Sequence, residues 1–217
     1  MREKYPQWTP ELYEYLVDRG ARQDSVLAEL ERETAAMGGI AAMQVAPDQG
    51  ACMTLLARAI EARRALEVGT FTGYSAICIA RGLPEDGALV CCELDAGYAE
   101  TARGWLERAG VGERVEIRLG PAIDTLRAMP REEAYDLAFV DADKAGYPGY
   151  YEEILPRLRA GGLLLLDNVL MGGRVLEAEP DEDARIIDEL NTRIEADERV
   201  DAAMVGIADG ITILRKR

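Results

Sequence analysis

From Arg64 onward the chain alternates short apolar runs with amphipathic stretches, and this alternation constrains the fold more than any other feature. Strands are predicted at 65–69, 88–93, 114–118, 135–140 and 162–167, with helices between them near 73–82, 96–109, 121–129 and 147–158. Successive strands joined by helices must run parallel and cross over with a right hand, so a doubly wound α/β sheet follows. A last helix near 182–196 precedes two β-rich runs, 200–207 and 211–215, separated by Ala208-Asp209-Gly210. Asp-Gly between such runs signals a hairpin, which makes the final strand antiparallel. The first sixty residues read as helices. Thr9-Pro10 opens one that carries Leu12, Tyr13, Leu16 and Val17 on one face and stops at Gly20. A second runs from Ser25 to Met37, stopped by Gly38-Gly39, and a third starts near Asp48, with Leu55, Leu56, Ala59 and Ile60 expected to point inward. No repeat or linker interrupts residues 1–217, so a single domain is expected, with 172–181 as a surface loop.

Composition removes several chemistries. The chain has no histidine, which excludes a Ser-His-Asp triad, a histidine base and histidine-ligated zinc. Acid–base work falls to Lys, Asp, Glu, Tyr or Cys. A net charge of −15 repels polyphosphate backbones and anionic membrane surfaces, which argues against a tRNA or DNA substrate and against a membrane partner. No apolar run approaches the roughly 18–20 residues a bilayer span needs. Met1-Arg2-Glu3-Lys4-Tyr5-Pro6 lacks the shape of a signal peptide, so a cytoplasmic location is expected. The cysteines, Cys52, Cys78, Cys91 and Cys92, form no C-x-x-C pair and read as reduced core residues, with Cys91 and Cys92 on opposite faces of a strand.

The chemistry concentrates where apolar runs end, because ligands of open parallel sheets sit beyond the carboxyl ends of the strands. Tyr135–Val140 is followed by Asp141-Ala142-Asp143-Lys144, and Leu163–Leu166 by Asp167-Asn168. Two carboxylates and an amide oxygen converging there make a set of hard donors suited to Mg²⁺ or Mn²⁺, with Lys144 beside it. Helix N-capping would account for Asp141 and Asp167 more plainly, but it leaves Asn168 and Lys144 without a reason. The first strand ends as Glu67-Val68-Gly69-Thr70-Phe71-Thr72-Gly73-Tyr74-Ser75. Its G-x-x-x-G spacing differs from the G-x-G-x-x-G of dinucleotide folds, and Tyr74 stands where a P-loop needs lysine. Glu93 closes the next strand about twenty residues beyond Gly73, where a doubly wound fold places an acid on ribose hydroxyls. A glycine turn and a ribose acid without a phosphate cradle suit a nucleoside such as S-adenosylmethionine. Glu67, an acid inside an apolar strand, is best accounted for by contact with that cofactor. Tyr74 and Tyr147 read as packing aromatics, and Met43 and Met171 as either core or substrate mouth.

These segments, together with the terminal Asp209-Gly210-Ile211-Thr212, resemble the signatures of the cation-dependent O-methyltransferases of the caffeoyl-CoA and catechol type, in order and spacing from about Met43 to the end. The resemblance implies a class I methyltransferase fold, Rossmann-like and seven-stranded, and a homodimer in which helices 1–62 form part of the substrate and dimer region. It implies Mg²⁺, or Mn²⁺ or Ca²⁺ in the same site, on Asp141, Asp167 and Asn168. It places S-adenosylmethionine on Glu67, Gly69, Ser75, Glu93, Ala122, Asp141 and Asp143, and makes Lys144 and Asp141 catalytic. The expected acceptor is a small catechol-like diol. Met171 follows Leu170 where plant relatives often carry tryptophan, which weakens any carry-over of a phenylpropanoid substrate. Methylation of a hydroxylated tRNA base, an NAD-linked oxidoreductase and a non-catalytic nucleoside binder are the competing readings. The charge disfavours the first, the Phe71 turn the second, and Lys144 beside the metal set the third.

Overall fold

The computed structural model describes residues 6–21 and 23–217; residues 1–5, which carry most of the signal-peptide reading, lie outside the described residues. Seven strands form one sheet in the order β3-β2-β1-β4-β5-β7-β6: β1 (Arg64–Val68), β2 (Ala88–Glu93), β3 (Val115–Leu119), β4 (Tyr135–Val140), β5 (Leu158–Asp167), β6 (Val200–Val205) and β7 (Ile211–Lys216). The pairs among β1 to β5 are parallel, and β7 runs antiparallel to both β5 and β6, as the Asp209-Gly210 hairpin predicts. The chain order reverses direction between β1 and β4, which opens a crevice at their carboxyl ends.

Period-2 alternation divides the side chains of the central strands between two cores. Leu66, Val68, Cys92, Ala138, Val140, Leu164 and Leu166 face α6 (Ala122–Ala128), α7 (Tyr147–Ile154) and α8 (Glu182–Glu195). Ala65, Leu89, Cys91, Leu137, Phe139 and Leu165 face α2 (Ser25–Ala35), α3 (Pro47–Ala59), α4 (Tyr74–Gly82) and α5 (Ala96–Arg108). Cys91 and Cys92 therefore do lie on opposite faces, and all four cysteines are free thiols. None of the helices among the described residues is long and apolar enough to cross a membrane.

The N-terminal helices depart most from expectation. In α1 (Pro10–Gly20) Thr9 caps the helix, but no residue is buried. In α3 the inward face is Gln49, Gly50, Met53 and Ala57, while Leu55 and Ala59 are exposed. The reason is a rotated contact stripe. Gly50 packs so close to Tyr74 and Cys78 that a Cβ there would lie 2.7 Å from the Cys78 sulfur, and this seats α3 on α4 one residue away from the predicted face. The helix predicted to reach 158 ends at Ile154, because Pro156 belongs to a 3₁₀ turn over Leu155–Arg157. Strand β5 consequently starts at Leu158, and Arg159 anchors it by donating to Asp136 of β4 at 2.6 Å. The 172–181 loop contains a 3₁₀ segment, Met171–Leu176, kinked at Gly172 and Gly173.

The crevice depends on one glycine. Gly69 has φ +88°, and a Cβ on it would lie 1.9 Å from the Asp141 carbonyl oxygen. The turn after β1 can pass the turn after β4 only without a side chain. A Gly69→Ala variant should lose at least about 2 kcal/mol of stability, read as a lower urea midpoint with unchanged slope.

Candidate active site

A cavity of about 980 Å³ opens at the switch point, lined from both sides by residues that the sequence singles out. Its wall includes Gly69 and Ser75 from the first turn, Glu93 from the end of β2, Ala122 at the start of α6, and Asp141, Asp143, Lys144, Asp167 and Asn168 from the ends of β4 and β5. Of the predicted site residues, Glu67 alone does not line it. It is completely buried, one layer back among Thr70, Ser75 and Cys91, and neither carboxyl oxygen makes a hydrogen bond of normal geometry. Burial pushes its pKa up to about 7.

The turn after β1 is stapled by Glu93. One carboxylate oxygen accepts from the Thr70 and Phe71 amides at 3.0 and 2.8 Å, the other from Leu94 and Asp95 at 2.8 and 2.9 Å. The acid read as a ribose ligand thus also holds two turns together, which fixes Phe71 at φ +50° against Tyr98, with ring centroids 4.8 Å apart. Gly73, left-handed at φ +94°, starts α4 and packs on Ala102. Gln44 Oε1, buried on a cavity-lining residue, has no hydrogen bond among the described residues, whereas Thr70 Oγ1 faces Glu67 and Cys91 without a bond of normal geometry. A buried polar atom is normally satisfied, so Gln44 Oε1 marks where a polar group of a ligand would bind.

Opposite this turn, the acid set converges. Lys144 Nζ donates to Asn168 Oδ1 at 2.8 Å and lies 3.3 Å from Asp141 Oδ1, so its ammonium bridges two of the three oxygens expected to hold a cation. Asn168 is left-handed, φ +53°, held by a 2.7 Å bond from its own amide to Asp167 Oδ1. Burial raises the pKa of Asp167 to about 7, with the charge on Asp141 adding to the shift, and burial raises Asp141 too, against the pull of Lys144. The Gln49 amide faces Asp167 and lowers its pKa, yet Nε2 makes no hydrogen bond of normal geometry. A buried and a part-buried carboxyl short of positive charge, plus a hard amide oxygen, fit a divalent cation.

Sequence reasoning missed several wall residues. Phe71 counted only as an absent glycine, although it lines the cavity beside Thr72 and Tyr98. Tyr150 lines the cavity too and donates to Asp143 Oδ1 at 2.6 Å; its place at the start of a helix after the acid cluster was the available signal. Met43 lines the mouth and is exposed, whereas Met171 is core.

A parallel sheet with an antiparallel seventh strand, a glycine turn after β1 and a cavity at the switch point define a class I methyltransferase fold. The O-methyltransferase family model matches residues 17–217. Curated relatives include a probable caffeoyl-CoA O-methyltransferase of Arabidopsis thaliana, 36% identical over 95% of this chain and 94% of its own, and catechol O-methyltransferase domain-containing protein 1 of Mus musculus, 37% identical over 94% and 79%. Among solved structures, an O-methyltransferase from Bacillus cereus in complex with SAH superposes with a TM-score of 0.88 at 34% identity, covering 100% of both chains. The chain belongs to the O-methyltransferase family.

Glu67 gives the apo protein a testable pH dependence. Its folded pKa is about 7, above the ordinary value of 4.5, so its contribution to stability is full below about 4.5 and is lost as pH rises through about 7. Glu67→Gln has no charge to lose. Relative to the parent, the variant should gain on the order of 3 kcal/mol between pH 5 and pH 9 in urea titrations of the apo protein. A difference that does not change with pH would show that Glu67 does not titrate in this window.

Proposed function

We propose that this chain transfers a methyl group from S-adenosylmethionine to one hydroxyl of a small vicinal diol of the catechol type, held on Mg²⁺ or a similar divalent ion. The observation that carries the reading is the convergence of Asp141, Asp167, Asn168 and Lys144 on one cavity wall, facing the Gly69–Ser75 turn on the other. The solved relatives from Bacillus cereus and from Streptomyces achromogenes, the latter 32% identical and described in complex with SAM, support the cofactor.

Gly69, Ser75, Glu93, Ala122, Asp141 and Asp143 would hold S-adenosylmethionine, which supplies an electrophilic sulfonium methyl. Glu67 would act from behind Ser75. Asp141, Asp167 and Asn168 would hold the cation, which supplies a Lewis acid that lowers the pKa of a bound hydroxyl. Lys144, in its neutral amine form, would accept the proton of the hydroxyl to be methylated, within reach of the same oxygens. The acidic wall formed by Glu93, Asp95 and Asp143 favours a cationic sulfur. Phe71, Tyr98, Met43 and Val45 would exclude water from the rest of the cavity.

The helices of residues 1–62 form the acceptor side, since Ala42, Met43, Gln44 and Val45 reach the mouth. The exposure of Trp8 (59%), Tyr15 (63%) and Leu55 (67%) supports a homodimer through this N-terminal region. The net charge of −15 supports a small acceptor over a nucleic acid and fits a cytoplasmic enzyme.

Calorimetry should show binding of S-adenosylmethionine and none of NAD. Methyl transfer to a simple catechol should stop with EDTA, return with Mg²⁺, and be abolished in Asp141→Ala. Lys144→Ala should lower kcat by roughly 10²–10⁴-fold with little change in cofactor affinity. Turnover that survives chelation would remove the cation from the reaction. Light scattering should give a dimer mass, reduced to a monomer by joint Trp8→Glu and Leu55→Glu substitution.

A further inference from the structure

Tyr147 opens α7 and is completely buried, and its sequence context gives it no role beyond packing. Its oxygen has specific bonds. Tyr147 Oη accepts from Lys144 Nζ at 2.8 Å, while its single hydrogen faces two backbone carbonyls, Val140 at 3.2 Å and Asp167 at 3.1 Å. Val140 is the residue before Asp141, and Asp167 is itself one of the acids. One atom therefore ties together the ends of β4 and β5 and the lysine that stands between them. The ring contributes as well, since Lys144 Nζ lies 4.5 Å from its centroid.

We propose that Tyr147 is a positioning residue that sets the Lys144 ammonium, and with it the register of Asp141 against Asp167 and Asn168. The proposal rests on the reading of Lys144 as the base. A phenol whose one proton is directed at carbonyls presents only lone pairs to its remaining neighbour, so it accepts from the lysine and cannot compete with it as a donor. A lysine has a long flexible stem, and two close acceptors, Tyr147 Oη and Asn168 Oδ1, narrow where its Nζ can sit. Without the phenol oxygen the ring still fills its core site, but the ammonium keeps only Asn168 and the more distant Asp141. A packing role predicts that Tyr147→Phe is silent in chemistry; a positioning role predicts a loss expressed through Lys144.

The test compares Tyr147→Phe, Lys144→Ala and the double variant in the Mg²⁺- and S-adenosylmethionine-loaded enzyme with a simple catechol. Tyr147→Phe should lower kcat about tenfold or more, with the calorimetric affinity for S-adenosylhomocysteine unchanged within about twofold. The double variant should turn over no more slowly than Lys144→Ala. Independently of activity, acetylation of Lys144 in the apo protein, followed by peptide mass spectrometry, should change in rate by about threefold or more in Tyr147→Phe, with Lys216 as the internal control. Should Tyr147→Phe fail to fold, 3,5-difluorotyrosine at position 147 keeps the packing and weakens the acceptor, and should slow turnover only where Lys144 is present. Normal kcat in Tyr147→Phe, a full additional loss in the double variant, or an unchanged labelling rate would overturn the positioning role. If Lys144→Ala itself retains full turnover, the base assignment fails and the positioning role falls with it. A slow Lys144→Ala beside a normal Tyr147→Phe defeats the positioning role alone.

Discussion

Two carboxyl groups at the ends of adjacent strands, Asp141 and Asp167, impose the constraint on which the site depends. Burial makes their charge costly, and the charge on Asp141 raises the cost at Asp167. A fold keeps such a pair only if something holds the groups in place and something offsets their charge. The first need is met by the backbone. The Asp141 amide bonds to the Val68 carbonyl at 2.9 Å, and the Asn168 amide bonds to Asp167 Oδ1. The second is met in part by Lys144, whose single positive charge cannot match two carboxylates. The left-handed backbone at Asn168 belongs to the same arrangement, since it brings the amide oxygen of Asn168 toward the lysine shared with Asp141.

The opposite wall is built on a complementary principle, backbone donors gathered by one acid. Glu93 takes four amide hydrogens from two turns and thereby fixes the segment that forms the wall. A carboxylate so satisfied costs little to bury, whereas Glu67, one strand away, has no such partners and has a pKa raised to about 7. The two glutamates therefore differ in kind. Glu93 is structural as found, each oxygen already accepting two amide hydrogens; Glu67 is unsatisfied and stands behind the wall. Gly69 joins the two walls, because the turn after β1 passes the Asp141 carbonyl at a distance no side chain permits.

The strands, their parallel order and the closing hairpin were legible because both-face burial produces continuous apolar runs, and their ends point to the site. Asp141, Asp143, Lys144, Asp167 and Asn168 were readable for the same reason: a polar residue directly after such a run stands at the carboxyl edge of the sheet, where ligands of this fold bind. Elements without that signal were misread. Leu55 and Ala59 repeat with helical period, but the face of α3 that packs is chosen by Gly50 against Tyr74 and Cys78, a contact between segments distant in sequence. Phe71, Tyr98 and Tyr150 escaped because an aromatic in a helix or turn looks the same whether it packs a core or walls a cavity. Tyr147 escaped for a sharper reason. Its ring does pack the core, and only its oxygen, bonded to three groups from three segments, shows a second role.

The absence of histidine shapes this site further. A lysine base must be held close to anions to be positioned, yet anions close by also stabilise its charged form. Asn168 and Tyr147 offer a way around this conflict, because both bind the ammonium through neutral oxygens at 2.8 Å, while the nearest charged oxygen, on Asp141, is more distant at 3.3 Å. On the proposed reading, Asp141 and Asn168 would also hold a divalent cation, which makes Tyr147 the one partner of the ammonium outside the cation's own set. The phenol oxygen is thus the part of the lysine's cradle that loading of the acid pair would leave in place.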